Sequence, residues 1–508
     1  MATTTNNLRT DAAAGQRRSG DLALLIALAA ATLVVHVFTG HQYGFQRDEL
    51  ATLEDARHLA FGYVAYPPVT PLFGRLSLIL FGTSLGGFRF FAALAQAVAL
   101  VFIGLMAREL GGRRGAQLVA AAAGVAFALG GGALMQYVSF DYLCWVLVSY
   151  FVVRLLKSDD PRWWCAIGAG IGFGMESKYT MGFFVLAIVA AVVLTPARKY
   201  LASRWLWVGV ALSILVFLPN LIWQAQHHFV SLDFLSHIHK RDVGEGRADG
   251  FLLQQLKLTL LATPLALAGL YFYLIAPSGR RYRMLGWTYV GTLLLFALAK
   301  GRWYYMGGAY PMLFAGGAVW GEQWLAAMNR GGAAAVRAAA WVALVADAIF
   351  VGVIAMPSAP INSARWNFAS KINGDLVEEV GWPELTAEVA RIWDAIPAEE
   401  RAHAGILAAN YGEAGAIALY GPRLGLPRPM SGVNSFWAKG YVPAETLIVI
   451  GYSERWRQRN FSSCELAGHT PNPYGIKNEE TGDHPDIFVC RGMKQSWPEF
   501  WKDFQYYG

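Results

Sequence analysis

The residues with the best claim to chemistry are two adjacent carboxylates in the stretch Gly44-Phe45-Gln46-Arg47-Asp48-Glu49-Leu50. Residues 22–38, before them, are almost wholly apolar, so Asp48 and Glu49 emerge at a membrane surface. There they can act on substrates that arrive by way of the lipid. The competing explanation is structural, with both carboxylates capping an interfacial helix and favouring its positive end. A third carboxylate, Asp141, falls at the mouth of a later apolar run, where an unpaired charge is costly. It either orients a substrate or helps hold a metal, or it forms a structural ion pair with Arg47 or Arg89.

The composition indicates what positions these groups. Of the 508 residues, 55% are hydrophobic and only 15% charged, which is a membrane-protein balance. The 18 Trp, 22 Tyr and 29 Phe suit aromatic belts at two interfaces. The net charge of +7 is no nucleic-acid signal. Residues 362–508 carry 14 Lys+Arg against 18 Asp+Glu, so the basic excess lies where the chain weaves through the bilayer.

Apolar windows long enough, or nearly so, to cross a membrane fall at 22–38, 88–107, 116–133, 138–156, 163–177, 180–195, 205–223, 253–275, 284–299, 309–326 and 336–356. About eleven transmembrane helices are expected. Residues 1–20 are expected to be a disordered cytoplasmic N-terminus, and the first span a retained anchor, because Thr39 to Gln46 offers no good signal-cleavage site. With that N-terminus inside, every inner loop is basic: Arg108/Arg113/Arg114, Arg154/Lys157/Arg162, Arg198/Lys199/Arg204, Arg280/Arg281/Arg283 and Arg330/Arg337. The C-terminus then lies outside.

In the first outer loop, within 43–87, Leu50, Leu53, Ala56, Leu59 and Ala60 recur at the spacing of a helix lying along the interface. Tyr66-Pro67-Pro68 ends it, and Leu72–Phe81 forms a second such helix. Residues 21–360 are thus expected to be the membrane domain and 361–508 an α/β extracytoplasmic domain. The latter alternates helix-like segments (Leu385–Ile396, Glu413–Tyr420) with strand-like ones (Leu447–Ile450, Ile487–Cys490). Cys464 and Cys490 both lie there, where an oxidising compartment permits a disulfide worth about 3–4 kcal/mol.

This topology leaves Lys178, Lys300 and Arg302 as cations on outer loops, against the positive-inside bias, with Tyr304 and Tyr305 beside them. They form either an anion site or an interfacial belt of snorkelling lysines and aromatics. His227, His228, His237 and His239 cluster near Asp233 and Lys240-Arg241. A divalent metal is possible there, with His227 and His228 as weak candidates, but adjacent histidines diverge in direction. Asp347, deep in the last span, is expected to be hydrogen-bonded within the bundle.

Six stretches taken in order resemble the lipid-dependent glycosyltransferases of the GT-C class, near family 39 and the protein mannosyltransferases, with the lipid A aminoarabinose transferase as a related branch. They are Phe45-Gln46-Arg47-Asp48-Glu49; Tyr66-Pro67-Pro68 with Pro71-Leu72; Ser139-Phe140-Asp141; Met175-Glu176-Ser177-Lys178-Tyr179; Pro219-Asn220-Leu221-Ile222-Trp223 with Phe229; and Ala299-Lys300-Gly301-Arg302-Trp303-Tyr304-Tyr305 with Tyr310-Pro311. Tyr411-Gly412-Glu413-Ala414 extends the likeness weakly into the C-terminal region. Tyr66 stands where relatives carry His or Lys, and Phe140 where they often carry Pro.

The resemblance implies a polytopic α-helical GT-C enzyme that moves a sugar from a polyprenyl-phosphate donor to an envelope acceptor, with lipid, glycan and protein all open. Asp48 would be the base that takes the acceptor's proton. A single inverting displacement needs no carboxylate nucleophile, and Glu49, about 100° further round a helix, would have a supporting or structural role. Lys178, Lys300, Arg302, Tyr304, Tyr305, Lys240 and Arg241 would face the donor phosphate, whose charge grows as the glycosidic bond breaks. The alternative is a transporter or flippase for lipid-linked sugars. Such proteins place ionisable groups near the midplane and often repeat internally, whereas here the charges collect on one rim.

Overall fold

The computed structural model describes residues 20–508; the expectation for 1–20 falls, but for Gly20, outside the described residues. All eleven apolar windows lie on helices. Among the described residues, seven helices are long and apolar enough to cross a membrane, or eight if the bent pair Met181–Leu194 and Pro196–Ala202 counts as one span. The remaining windows lie on shorter helices, Trp163–Met175, Arg283–Leu298 and Tyr310–Ala326, each flanked by a tight turn. Their outward residues are apolar: Leu215 is 64% and Leu298 82% exposed, which suits a lipid surround rather than water.

The spans pack closely through small residues. A side chain at Gly168 would meet the Gly209 carbonyl at 2.0 Å, so the Trp163–Met175 and Arg204–Gln226 helices touch backbone to backbone. Asp347 accepts from the amides of Leu261 and Ala262 at 3.1 and 3.0 Å, holding a break between helices inside the bundle.

Two short helices, Arg47–Arg57 and Val69–Phe81, follow the first span. They lie where the apolar spacing put interfacial helices, separated by the Pro67-Pro68 turn. Leu50 and Leu53, on the first, are fully buried.

The C-terminal region carries a four-stranded sheet of β1 (Ala404–Ala408), β2 (Thr446–Ile450), β3 (Phe461–His469) and β4 (Asp486–Met493), in the order β1-β2-β4-β3. β1 and β2 are parallel, with the Tyr411–Tyr420 helix in the connection between them; the other pairs are antiparallel. Cys464 and Cys490 face one another across β3 and β4 and are disulfide-bonded. Cys144 and Cys165 are free. This region does not have a core wholly to itself. Ile406, Ile417, Ile448 and Trp382 join Phe45, Leu50, Leu53, Phe88 and Phe140 in one buried cluster. The sheet and its helices are thereby seated on the Arg47–Arg57 helix, which bears Asp48.

Candidate active site

The Arg47–Arg57 helix starts with a capping box. The Gln46 side chain accepts from the Asp48 amide at 2.6 Å, and Glu49 accepts from the Gln46 amide at 3.0 Å. The capping role therefore belongs to Gln46 and Glu49, and Asp48 is left free of it. Glu49 is fully buried and takes the Arg89 guanidinium at 2.6 Å and the Met135 amide at 2.8 Å. With its oxygens so occupied, Glu49 is a structural anchor and not a group that meets substrate. A supporting or structural role, as expected for it beside Asp48, is the one this geometry allows.

Asp48 points elsewhere, as a helical step of about 100° requires. Its Oδ1 accepts from the Tyr411 hydroxyl at 3.0 Å and its Oδ2 from the Gln136 amide group at 3.2 Å. Burial pushes its carboxyl above the usual range, against the pull of Tyr411, Arg47 and Arg302. Asp48 borders a cavity of roughly 610 Å³, with Gln136, Tyr137, Lys178, Arg302 and Tyr411 among its walls.

Lys178 lies in the turn after the Trp163–Met175 helix, inside an aromatic cage. Its ammonium is 3.8 Å from the centre of the Tyr305 ring, 5.1 Å from Tyr137 and 5.7 Å from Tyr304. Burial lowers its pKa to about 8, with Asp141 opposing the fall. Asp141 does not border the cavity. It accepts from Trp145 Nε1 at 2.8 Å and from Thr180 at 3.4 Å, behind the lysine. Neither Arg47 nor Arg89 pairs with it: Arg89 holds Glu49 and Glu379, and Arg47 holds Glu479 and Glu480.

Arg302 also faces the cavity, but it is already engaged. Asp242 grips it with two hydrogen bonds, of 2.6 and 2.8 Å, and Arg302 donates to the Tyr304 hydroxyl at 3.0 Å. Lys300 is exposed on the rim, with a left-handed backbone (φ 48°) that turns the chain there. A polyanion would thus meet one caged cation, one oriented guanidinium and one exposed lysine.

Residues 65–223 match the family model described as dolichyl-phosphate-mannose-protein mannosyltransferase. No curated protein sequence matches the chain. The structure is similar to ArnT from Cupriavidus metallidurans in the apo state, with TM-score 0.60 and 14% identity, over 93% of this chain and 98% of that one. Coverage and identity are the same for that ArnT bound to undecaprenyl phosphate, at TM-score 0.57. The archaeal oligosaccharyltransferase AglB from Archaeoglobus fulgidus, in complex with an inhibitory peptide and a dolichol-phosphate, gives TM-score 0.52 at 11% identity, covering 86% of this chain and 70% of that one. The chain has the GT-C fold.

The GT-C fold and the matched segment agree on a multi-pass membrane glycosyltransferase, as the motifs implied, and nothing in them supports the transporter alternative. The matched segment contains Gln136, Tyr137, Asp141 and Lys178 but starts after Asp48. Other motif residues prove to be braces of the GT-C frame. Asn220 donates to the Phe61 carbonyl at 2.9 Å and Gln224 to the Tyr179 hydroxyl at 2.7 Å, tying a span to the first interfacial loop. Tyr66, in place of His or Lys, donates to Asp55 at 2.8 Å, and Lys439 approaches the same carboxylate at 3.6 Å from the C-terminal region. Phe140 stacks on Phe73 at 4.7 Å.

Some expected site residues are not at the site. Lys240 is exposed and does not border the cavity, whereas Arg241 does, 3.8 Å from Asp242. Tyr304 supports Arg302 from behind, and Tyr305 forms the wall. His227 stacks on Trp223 at 4.0 Å, and neither it nor His228 borders the cavity. The segment holding His237 and His239 is a helix, Val230–Gly244, on which those two side chains diverge. Among the described residues no three His, Cys, Asp or Glu side chains gather closely enough to hold a metal. Gln136, Tyr137, Asp242 and Tyr411 were missed as site residues. Only Tyr411 had a signal, through the weak motif at 411–414.

Proposed function

We propose that this protein is an inverting glycosyltransferase that moves a sugar from a polyprenyl-phosphate donor to an acceptor hydroxyl at the outer face of the cytoplasmic membrane. The observation that carries the reading is that one cavity is lined both by Asp48, held by Tyr411 and Gln136, and by the caged Lys178. The undecaprenyl phosphate and dolichol-phosphate bound to the similar ArnT and AglB structures support a lipid-phosphate donor. The basic inner loops support the orientation, with 361–508 as an extracytoplasmic domain closing the cavity from above.

In the reaction, the acceptor oxygen attacks the anomeric carbon from the face opposite the phosphate. Asp48 takes the hydroxyl proton as the new bond forms. The bond from the anomeric carbon to the phosphate oxygen breaks, and its electron pair leaves with the lipid phosphate. Lys178, in its aromatic cage, and Arg302, clamped by Asp242, are held where that charge develops and stabilise it, and the exposed Lys300 adds a third cation. Inversion follows from the single displacement, and Glu49 is in no position to act as a nucleophile, being bound to Arg89. A raised pKa suits a base that must accept a proton near neutral pH.

The test uses the purified protein in nanodiscs with polyprenyl-phosphate sugars and cell-envelope extract, followed by mass spectrometry of donor and products. Wild type is expected to consume one donor and yield a glycosylated product, and folded Asp48→Asn to lose activity about 10²–10⁴-fold. Equal turnover by both would remove Asp48 from the mechanism. Transbilayer movement of the donor without any product would instead point to a transporter.

A further inference from the structure

A second cavity, of about 190 Å³, lies at the far end of the helices that build the first. Tyr137–Ser158, Met181–Leu194 and Arg283–Leu298 each reach the Asp48 cavity with one end and this cavity with the other. At 1.5 Å per residue, the 14 residues of Met181–Leu194 set the two apart by about 21 Å. They therefore open toward opposite leaflets, whichever way the chain is oriented.

The second cavity gathers Lys199, Arg280, Arg281 and Arg283 around a single carboxylate, Asp159. Asp159 is already occupied by Lys199, at 2.6 Å, and by the Tyr200 hydroxyl. Arg281 donates to the Leu156 carbonyl at 2.5 Å. Arg280 and Arg283 have no carboxylate within ion-pair range among the described residues. The positive-inside bias explains basic residues on one side of a membrane, but not their convergence on one cavity, where they repel one another.

The backbone builds this convergence deliberately. Two 3-10 turns, Pro196–Ala202 and Pro277–Tyr282, both opened by proline, supply six of the lining residues, Lys199, Arg280 and Arg281 among them. The first turn bends 101° away from the preceding span and so lays Lys199 across the helix ends. Apolar residues next to these turns, Leu194 at 66% and Ile275 at 63% exposure, face outward. A charged cavity edged by lipid-facing leucine and isoleucine has the two-part character of a phospholipid.

We propose that this cavity binds the phosphate of an anionic phospholipid headgroup from the leaflet opposite the Asp48 cavity, with the acyl chains lying along Leu194 and Ile275. The inference is independent of the proposed glycosyl transfer. Each cation near a membrane surface contributes roughly fivefold in affinity for such a lipid. Losing Arg280 and Arg283 together is therefore expected to weaken retention about 25-fold.

Native mass spectrometry of the full chain in detergent, titrated with phosphatidylglycerol or phosphatidylcholine, tests it. Wild type is expected to retain phosphatidylglycerol in clear preference. Arg280→Ala/Arg283→Ala is expected to lose the preference, while Arg198→Ala/Arg204→Ala, on the same face but outside the cavity, keeps it. No preference in wild type, or an equal loss in both double variants, overturns the proposal. A parallel arm measures thermal protection by inorganic phosphate. Protection by the lipid alone supports the headgroup assignment, and equal protection by free phosphate overturns it in favour of a soluble phosphate ligand.

Discussion

Tyr411 donates its phenol to Asp48 Oδ1 at 3.0 Å across 363 residues of chain, so the C-terminal region supplies part of the immediate surroundings of the proposed base. That hydrogen bond favours the ionised carboxylate, whereas burial disfavours it. Asp48 must be ionised to accept a proton, so activity should rise with pH through its raised pKa. Tyr411→Phe removes a donor to the charged form and pushes the pKa further up. The acid limb of the kcat profile is expected to move to higher pH, and turnover below it to fall about tenfold, the usual worth of a hydrogen bond to a charged group. A pH–rate profile of the two proteins checks this; an unmoved limb would separate Tyr411 from the base.

Lys178 sets the opposite limb. Its pKa is lowered to about 8 by burial, so it carries its charge below that pH and loses it above. Donor binding is expected to weaken as pH rises through 8, seen as a rising donor KM. Lys178→Arg keeps the charge at all working pH values and should abolish that limb, although the planar guanidinium fits the Tyr305 cage differently. Lys178→Gln should raise donor KM about 10–100-fold at pH 7. A KM independent of pH between 7 and 9 in wild type would count against a phosphate contact.

How much of this was legible in the sequence depended on distance along the chain. The apolar helices report their surroundings locally, but the spacing of Leu50 and Leu53 did not tell that they would be buried against the C-terminal region. The partners of the site residues are set by packing between remote elements, which periodicity does not encode. Gln136 meets Asp48 across 88 residues and Asp242 meets Arg302 across 60. β1 was missed because Ala-Gly-Ile-Leu-Ala is poor in β-branched residues, and β3 because most of its residues are at least partly exposed. The Val230–Gly244 helix was hidden by its histidines and charges, although Leu232 and Leu235 lie on it. The cation-rich segments were legible, but not which of their cations were already paired.

That pairing makes Arg302 and Asp242 separable. Arg302→Ala removes a cation from the cavity wall, whereas Asp242→Asn leaves it there without its clamp. Donor KM is expected to rise more in Arg302→Ala than in Asp242→Asn. Stability should fall in both, by about 1–3 kcal/mol, less than for a fully buried pair because Arg302 is partly open to the cavity. Steady-state kinetics beside denaturation curves give both numbers. If Asp242→Asn alone loses donor binding, the carboxylate and not the arginine meets the donor.

Glu49 presents the reverse case, a carboxylate beside the proposed base that should matter for folding alone. Arg89 is shared between Glu49 at 2.6 Å and Glu379 at 3.1 Å, all three being buried. Burial raises Glu379 to about 8, against the pull of Arg89 and with Glu49 adding repulsion. Glu49→Gln removes that repulsion and leaves Arg89 free to draw Glu379 into its ionised form. The single variant should therefore lose less stability than the about 3–5 kcal/mol of an orphaned buried charge, and Glu49→Gln/Glu379→Gln should lose the full amount. The two substitutions should be strongly non-additive in a double-mutant cycle. Turnover per folded molecule should stay within a few-fold of wild type in Glu49→Gln. If turnover collapsed while stability held, Glu49 and not Asp48 alone would have to be placed at the chemistry.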